Sequence, residues 1–122
     1  MVKQVIIMRK DLRMRRGKEI AQGCHAAIKF LKERPTERTV AEEHWFEKNE
    51  KTICLQVNSE KELMSIYKQC KTTGIMVYLQ LDTGKTEFKD KEGNPVPTYT
   101  CLAIGPEYSS SIDPITKNLK LY

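Results

Sequence analysis

The sequence predicts an α/β fold: a single domain over residues 1–122, with one mixed four-stranded sheet and helices on its faces. Three observations carry that expectation. Strand-like and helix-like segments alternate in the order strand, helices, strand, helix, strand, strand, which suits a mixed sheet covered by helices. Two capping signatures, Thr39 to Glu42 and Ser59 to Glu62, open helices at defined points. The 122 residues are 39% hydrophobic and 30% charged, enough for one core, and no linker or internal repeat divides them.

Residues 2–8 alternate and cluster β-formers as a first strand. Residues 9–18 then read as an exposed loop feeding the first helix, which opens at Gly17-Lys18 and carries its pattern to Leu31 before Pro35 breaks it. Thr39 starts a short second helix ending near Asn49. Residues 52–57 are mostly apolar, the pattern of a central strand. Ser59 starts a third helix with Leu63, Ile66, Tyr67 and Cys70 as its buried stripe and Gly74 as its stop. Residues 75–81 and 100–104 supply the third and fourth strands. The polar, turn-rich residues 89–95 form an exposed excursion. Residues 106–111 read as a loop, and Leu119-Lys120-Leu121 as a short returning edge strand.

Several function classes drop out. No apolar run approaches the ~20 residues that span a bilayer, and residues 1–8 lack a signal-peptide pattern, so no membrane role and a cytoplasmic location are expected. Cys24, Cys54, Cys70 and Cys101 are widely spaced, without the C-x-x-C pair of a metal or dithiol site, and are expected to be buried and reduced. Cys24 and His25 are neighbours on a helix and point about 100° apart, which argues against a nucleophile–base pair.

Two segments carry chemistry. On a helical wheel, Ile20, Cys24, Ala27 and Leu31 share one face, and Lys18, Gln22, His25 and Lys29 the opposite one. The polar stripe is either a solvated face or, beside a helix N-terminus, part of an anion or polar-substrate site. Arg9, Lys10, Arg13, Arg15, Arg16 and Lys18 precede it or open it, with Asp11 the one acid among them. Such a run suits a polyanion better than a single phosphate. The second segment, Asp82-Thr83-Gly84-Lys85-Thr86, follows the third strand, where α/β sheets place ligand sites. Asp82 is a candidate proton acceptor and Thr86 a candidate hydrogen-bonding partner for water or a carbonyl. The same residues also serve as ordinary turn formers.

Taken together, Arg9-Lys10-Asp11-Leu12 with Met14, Gly17-Lys18 leading to Ala21-Gln22 and His25-Ala26-Ala27, Trp45, residues 53–57, Asp82 to Thr86, Leu102-Ala103-Ile104-Gly105-Pro106 and residues 116–121 resemble the type II peptidyl-tRNA hydrolase family. The resemblance spans nearly the whole chain, with the motifs in the same order. Departures are local: Met14-Arg15-Arg16-Gly17-Lys18 stands where the family has Met-Gly-Lys-Gly-Lys, Glu87 where it often has Gln, and residues 89–99 are longer than usual.

The resemblance implies a four-stranded mixed sheet sandwiched by helices, and hydrolysis of the ester joining a peptide to the 3′ ribose of tRNA. It implies Lys18, Gln22, Asp82 and Thr86 as catalytic positions, with His25 as structural support. The basic residues Arg9, Lys10, Arg13, Arg15, Arg16 and Lys85 would hold tRNA phosphates. Peptidyl-tRNA is thus the expected partner, with a homodimer as a candidate assembly. Ester hydrolysis needs no redox cofactor, and no metal-ligand cluster is visible, so neither is expected. Two non-enzymatic alternatives share the fold: an RNA-binding module without hydrolysis, and a protein-interaction domain.

Overall fold

The computed structural model describes residues 1–84 and 88–122. Its elements are β1 (Val2–Arg9), α1 (Arg16–Ala27), α2 (Lys29–Glu33), α3 (Val40–Glu47), β2 (Thr52–Val57), α4 (Glu60–Thr73), β3 (Val77–Asp82), β4 (Thr98–Tyr108) and α5 (Ser109–Thr116). The strands form one mixed sheet in the order β2-β1-β4-β3. β1 runs parallel to β2 and antiparallel to β4, which pairs antiparallel with β3. The predicted α/β class and four strands are observed.

Strand alternation divides the core into two faces. Val5 and Ile7 of β1, Leu102 and Ile104 of β4, Leu63, Ile66 and Cys70 of α4, and Ile112 of α5 form the larger cluster. Burying each aliphatic side chain contributes roughly 1.5–3 kcal/mol. On the other face, Met8, Cys101 and Ala103 meet Ala26 of α1, while Phe30, Trp45 and Tyr78 join α2 and α3 to the sheet. Buried Gln4 donates from Nε2 to the Ala27 carbonyl at 2.8 Å, tying the end of α1 to β1.

Thr39 closes a complete capping box with Glu42. Ser59 Oγ accepts from the Glu62 N–H, but the Glu62 carboxylate accepts from the Asn58 N–H, one residue outside the expected reciprocal bond. Gly74 ends α4 with φ +77°.

Five expectations need correction. The first helix is two: α1 stops at Ala27, and α2 begins at Lys29. Residues 106–111 are not a loop, because β4 continues to Tyr108 and α5 starts at once, with Ile112 buried against the sheet. β2 is an edge strand, not a central one; its apolar side chains Ile53, Leu55 and Val57 pack into the larger core, and its outer edge is met by residues 120–122. Gln56 N–H donates to the Lys120 carbonyl and Tyr122 N–H to the Cys54 carbonyl, both at 3.0 Å, around a single Leu55–Leu121 bridge. Of the four free cysteines, Cys70 and Cys101 are buried, but Cys24 is exposed and Cys54 intermediate.

The fifth concerns α1. Its apolar stripe does not face the sheet: Ile20 is 61% exposed, while Gln22, Gly23 and Ala26 are buried. Gly23 and Ala26 are on the side that meets the sheet, where a Cβ on Gly23 would make an ordinary 3.6 Å contact with Met8 Cε. Small residues let the helix sit close to the sheet, and Lys18 and Gln22 are carried inward with them.

Candidate active site

The C-terminal end of β3 and the first turns of α1 meet at one corner of the sheet. Lys18 Nζ lies 2.6 Å from Asp82 Oδ2, and the two side chains are only 9% and 10% exposed. A pair so withdrawn from water interacts through a lower dielectric than a surface ion pair. Gly84 N–H donates to Asp82 Oδ1 at 3.2 Å. Burial pushes the Asp82 carboxyl up, but the Lys18 ammonium and the Gly84 N–H outweigh it and hold the group below the ordinary aspartate range. Lys18 Nζ also lies 5.2 Å from the centroid of the Phe88 ring.

The turn after Asp82 requires glycine. Gly84 has φ +84°, and a Cβ would lie 2.6 Å from the Val96 nitrogen. Beyond it, Val96 N–H donates to the Phe88 carbonyl at 2.8 Å, closing the segment into a hairpin.

Gln22, one turn beyond Lys18, is 7% exposed. Its Oε1 accepts from the Thr100 hydroxyl at 2.6 Å, and its backbone carbonyl accepts from Cys101 Sγ at 3.5 Å. Arg15, Gly17, Lys18, Ala21 and Gln22 line an open cleft of about 510 Å³. The partial positive charge of the α1 N-terminus adds to this wall. A larger groove of about 650 Å³ between α4 and α5 lies on the other face of the sheet and has no carboxylate among its lining residues.

The fold thus brings Lys18, Gln22 and Asp82 to one corner. Thr86 and Lys85 lie outside the described residues. His25 is exposed, with no hydrogen bond among the described residues. Lys10, Arg13, Arg15 and Arg16 are exposed. Arg9 is not on an exposed loop: it ends β1, reaches Asp11 at 2.7 Å and the Tyr99 carbonyl at 3.1 Å, and lies 3.8 Å from Glu60. Sequence reasoning passed over Thr100 and Phe88. Neither carries a local signal in the sequence.

The profile described as peptidyl-tRNA hydrolase PTH2 matches residues 2–122. The chain belongs to the PTH2 family. A relative from Methanothermobacter thermautotrophicus, named peptidyl-tRNA hydrolase, is 42% identical over 98% of this chain and 99% of its own length. One of the same name from Methanocaldococcus jannaschii is 37% identical over 98% and 99%. A solved structure of a protein of unknown function from Agrobacterium superposes with TM-score 0.62 over 99% of this chain and 97% of that one. At 14% identity it shares the fold alone. The PTH2 match runs through both segments that build the corner, Gly17 to Gln22 and Asp82 to Gly84.

Proposed function

We propose that this chain hydrolyses the ester between a peptide and the 3′ ribose of tRNA at the Lys18–Asp82 corner. The observation that carries the reading is the buried 2.6 Å pair of Asp82 with Lys18, the cation of which lines an open cleft. Asp82 accepts a proton as water adds to the ester carbonyl. Lys18, with the α1 N-terminus behind it, stabilises the oxyanion. Collapse of the tetrahedral anion breaks the bond to the ribose oxygen, which takes up the proton and leaves as the free 3′ end. Gln22 and Thr86 hold the water or the carbonyl in place. The exposed cations Lys10, Arg13, Arg15 and Arg16, together with Lys85, hold tRNA phosphates without reading sequence. The proposed place of action is the cytoplasm, because the substrate arises in translation.

The test is release of a labelled N-acetyl-aminoacyl group from tRNA. Release far above the no-enzyme rate is expected, and affinity for uncharged tRNA should fall about 10²-fold between 50 and 200 mM salt if four phosphates are held. Salt-sensitive binding without release would favour a binding module instead.

A second copy of the chain is the proposed cover for the outer face of α1. Exposed Ile20 of α1 and Ile28 just beyond it lie one turn either side of exposed Cys24, and exposed Leu121 and Tyr122 lie on the β2 edge, apolar side chains that a second copy would cover. Sedimentation velocity should give a dimer that Ile20→Glu dissociates. A wild-type monomer at micromolar concentration would refute it.

A further inference from the structure

We infer that Thr100 is a positioning residue for the reaction: its hydroxyl holds the Gln22 amide so that Nε2, a hydrogen-bond donor, faces the substrate cleft. This deepens the reading above and rests on it. The argument starts from the backbone. β3 and β4 pair Gln80 with Cys101 and then Leu81 with Tyr99, so Thr100 is an extra residue in β4 at a β-bulge. In a regular strand Thr100 and Cys101 would point to opposite faces. Here both reach α1, Thr100 through its hydroxyl to Gln22 Oε1 and Cys101 through its sulfur to the Gln22 carbonyl. Re-aiming a side chain next to an active site is a common use of a bulge.

The hydrogen-bond inventory then orients the amide. Thr100 is completely buried, and its hydroxyl has one proton to give. The nearer acceptor is Gln22 Oε1 at 2.6 Å, with the Gln80 carbonyl at 3.5 Å. With Oε1 engaged inward, Nε2 points away from the sheet. Gln22 lines the cleft beside Lys18, and its Nε2 is not among the buried atoms left without a partner. A fixed N–H donor beside an ammonium suits a carbonyl oxygen that gains negative charge. It does not suit activation of water, which needs an acceptor. Gln22 is therefore assigned to the carbonyl, and Thr100 to holding it there.

The experiment compares Thr100→Val, Thr100→Ser, Gln22→Ala and the Gln22→Ala/Thr100→Val double variant in the N-acetyl-aminoacyl-tRNA assay, with thermal melts confirming folding. Thr100→Val keeps the shape and removes the donor. Its kcat is expected to fall about 10- to 100-fold, with KM within about two-fold of wild type. Thr100→Ser should recover kcat to within about three-fold. In the Gln22→Ala background, Thr100→Val should cost less than about two-fold more, because its effect passes through Gln22. A folded Thr100→Val protein with wild-type kcat beside an impaired Gln22→Ala would overturn the inference and leave the Lys18–Asp82 reading intact. Multiplying losses in the double variant would overturn it as well. A fully active Gln22→Ala would instead remove Gln22 from the reaction, and the inference with it. If Thr100→Val does not fold, Thr100→Cys, similar in size with a much weaker donor, takes its place under the same outcomes.

Discussion

Asp82→Asn should lower kcat for peptidyl-ester hydrolysis by about 10²- to 10⁴-fold, the range lost with a general base. Asparagine keeps the size of the side chain and an oxygen for the Gly84 N–H. It cannot take a proton from water, and it leaves the Lys18 ammonium without the carboxylate it touches at 2.6 Å. Affinity for uncharged tRNA should stay within a few-fold of wild type, since the exposed cations Lys10, Arg13, Arg15 and Arg16 are untouched. The substitution also has a pH signature. The Asp82 carboxyl is held below its ordinary value in the fold, so its contribution to stability is full above the unfolded pKa near 4 and is lost as pH falls through the lower folded value. The gap in Tm between wild type and Asp82→Asn should therefore shrink on acidification below about pH 4, read by circular dichroism melts at matched salt.

The second large effect is on stability, far from the cleft. Glu42 of α3 is 1% exposed, and Arg34 grips its carboxylate with two bonds, from Nη1 at 3.0 Å and from Nη2 at 2.5 Å. Arg34 Nη2 also lies 3.4 Å from the Tyr78 hydroxyl, so the guanidinium joins α2, α3 and β3. Burial pushes the Glu42 carboxyl up, but Arg34 and the Thr39 N–H overcome it and hold the group low. Arg34→Ala should cost about 3–5 kcal/mol, the penalty for a buried charge stripped of its partner. That corresponds to a fall in Tm of about 10–20 °C for a domain of this length. Adding Glu42→Gln should recover part of the loss. If Arg34→Ala melts within about 2 °C of wild type, the pair is solvated and contributes little.

How much of this was readable depends on where each signal sits. β1, β2 and α4 have local signatures (β-branched runs, a Ser59 cap, a Gly74 stop), and the fold follows them. α5 carries Ser109-Ser110-Ser111 and Pro114, which locally favour a loop. It is helical because Ile112 and Thr116 bury against the sheet, a tertiary term that no local pattern carries. The faces of α1 were inverted for a related reason. A wheel assumes that the most apolar stripe goes inward, whereas contact through Gly23 and Ala26 turns Lys18 and Gln22 in and leaves Ile20 outside. Stability reasoning fails there in the way expected where buried polar residues are proposed to serve a site. Lys18, Gln22 and Asp82 could be named from the sequence, but their meeting could not. It depends on how far β3 runs before Asp82 and on how close α1 lies to the sheet. The contribution of Thr100 depends on a single extra residue in β4, a register detail with no local trace.

The account stands on the claim that the Lys18–Asp82 corner is where the ester breaks. Single-turnover release from N-acetyl-aminoacyl-tRNA, with enzyme in excess at a concentration that saturates binding, isolates the chemical step from tRNA affinity. Asp82→Asn is expected to slow that step by at least about 10²-fold relative to wild type under identical saturation. An unchanged single-turnover rate in a folded Asp82→Asn protein would move the reaction away from this corner.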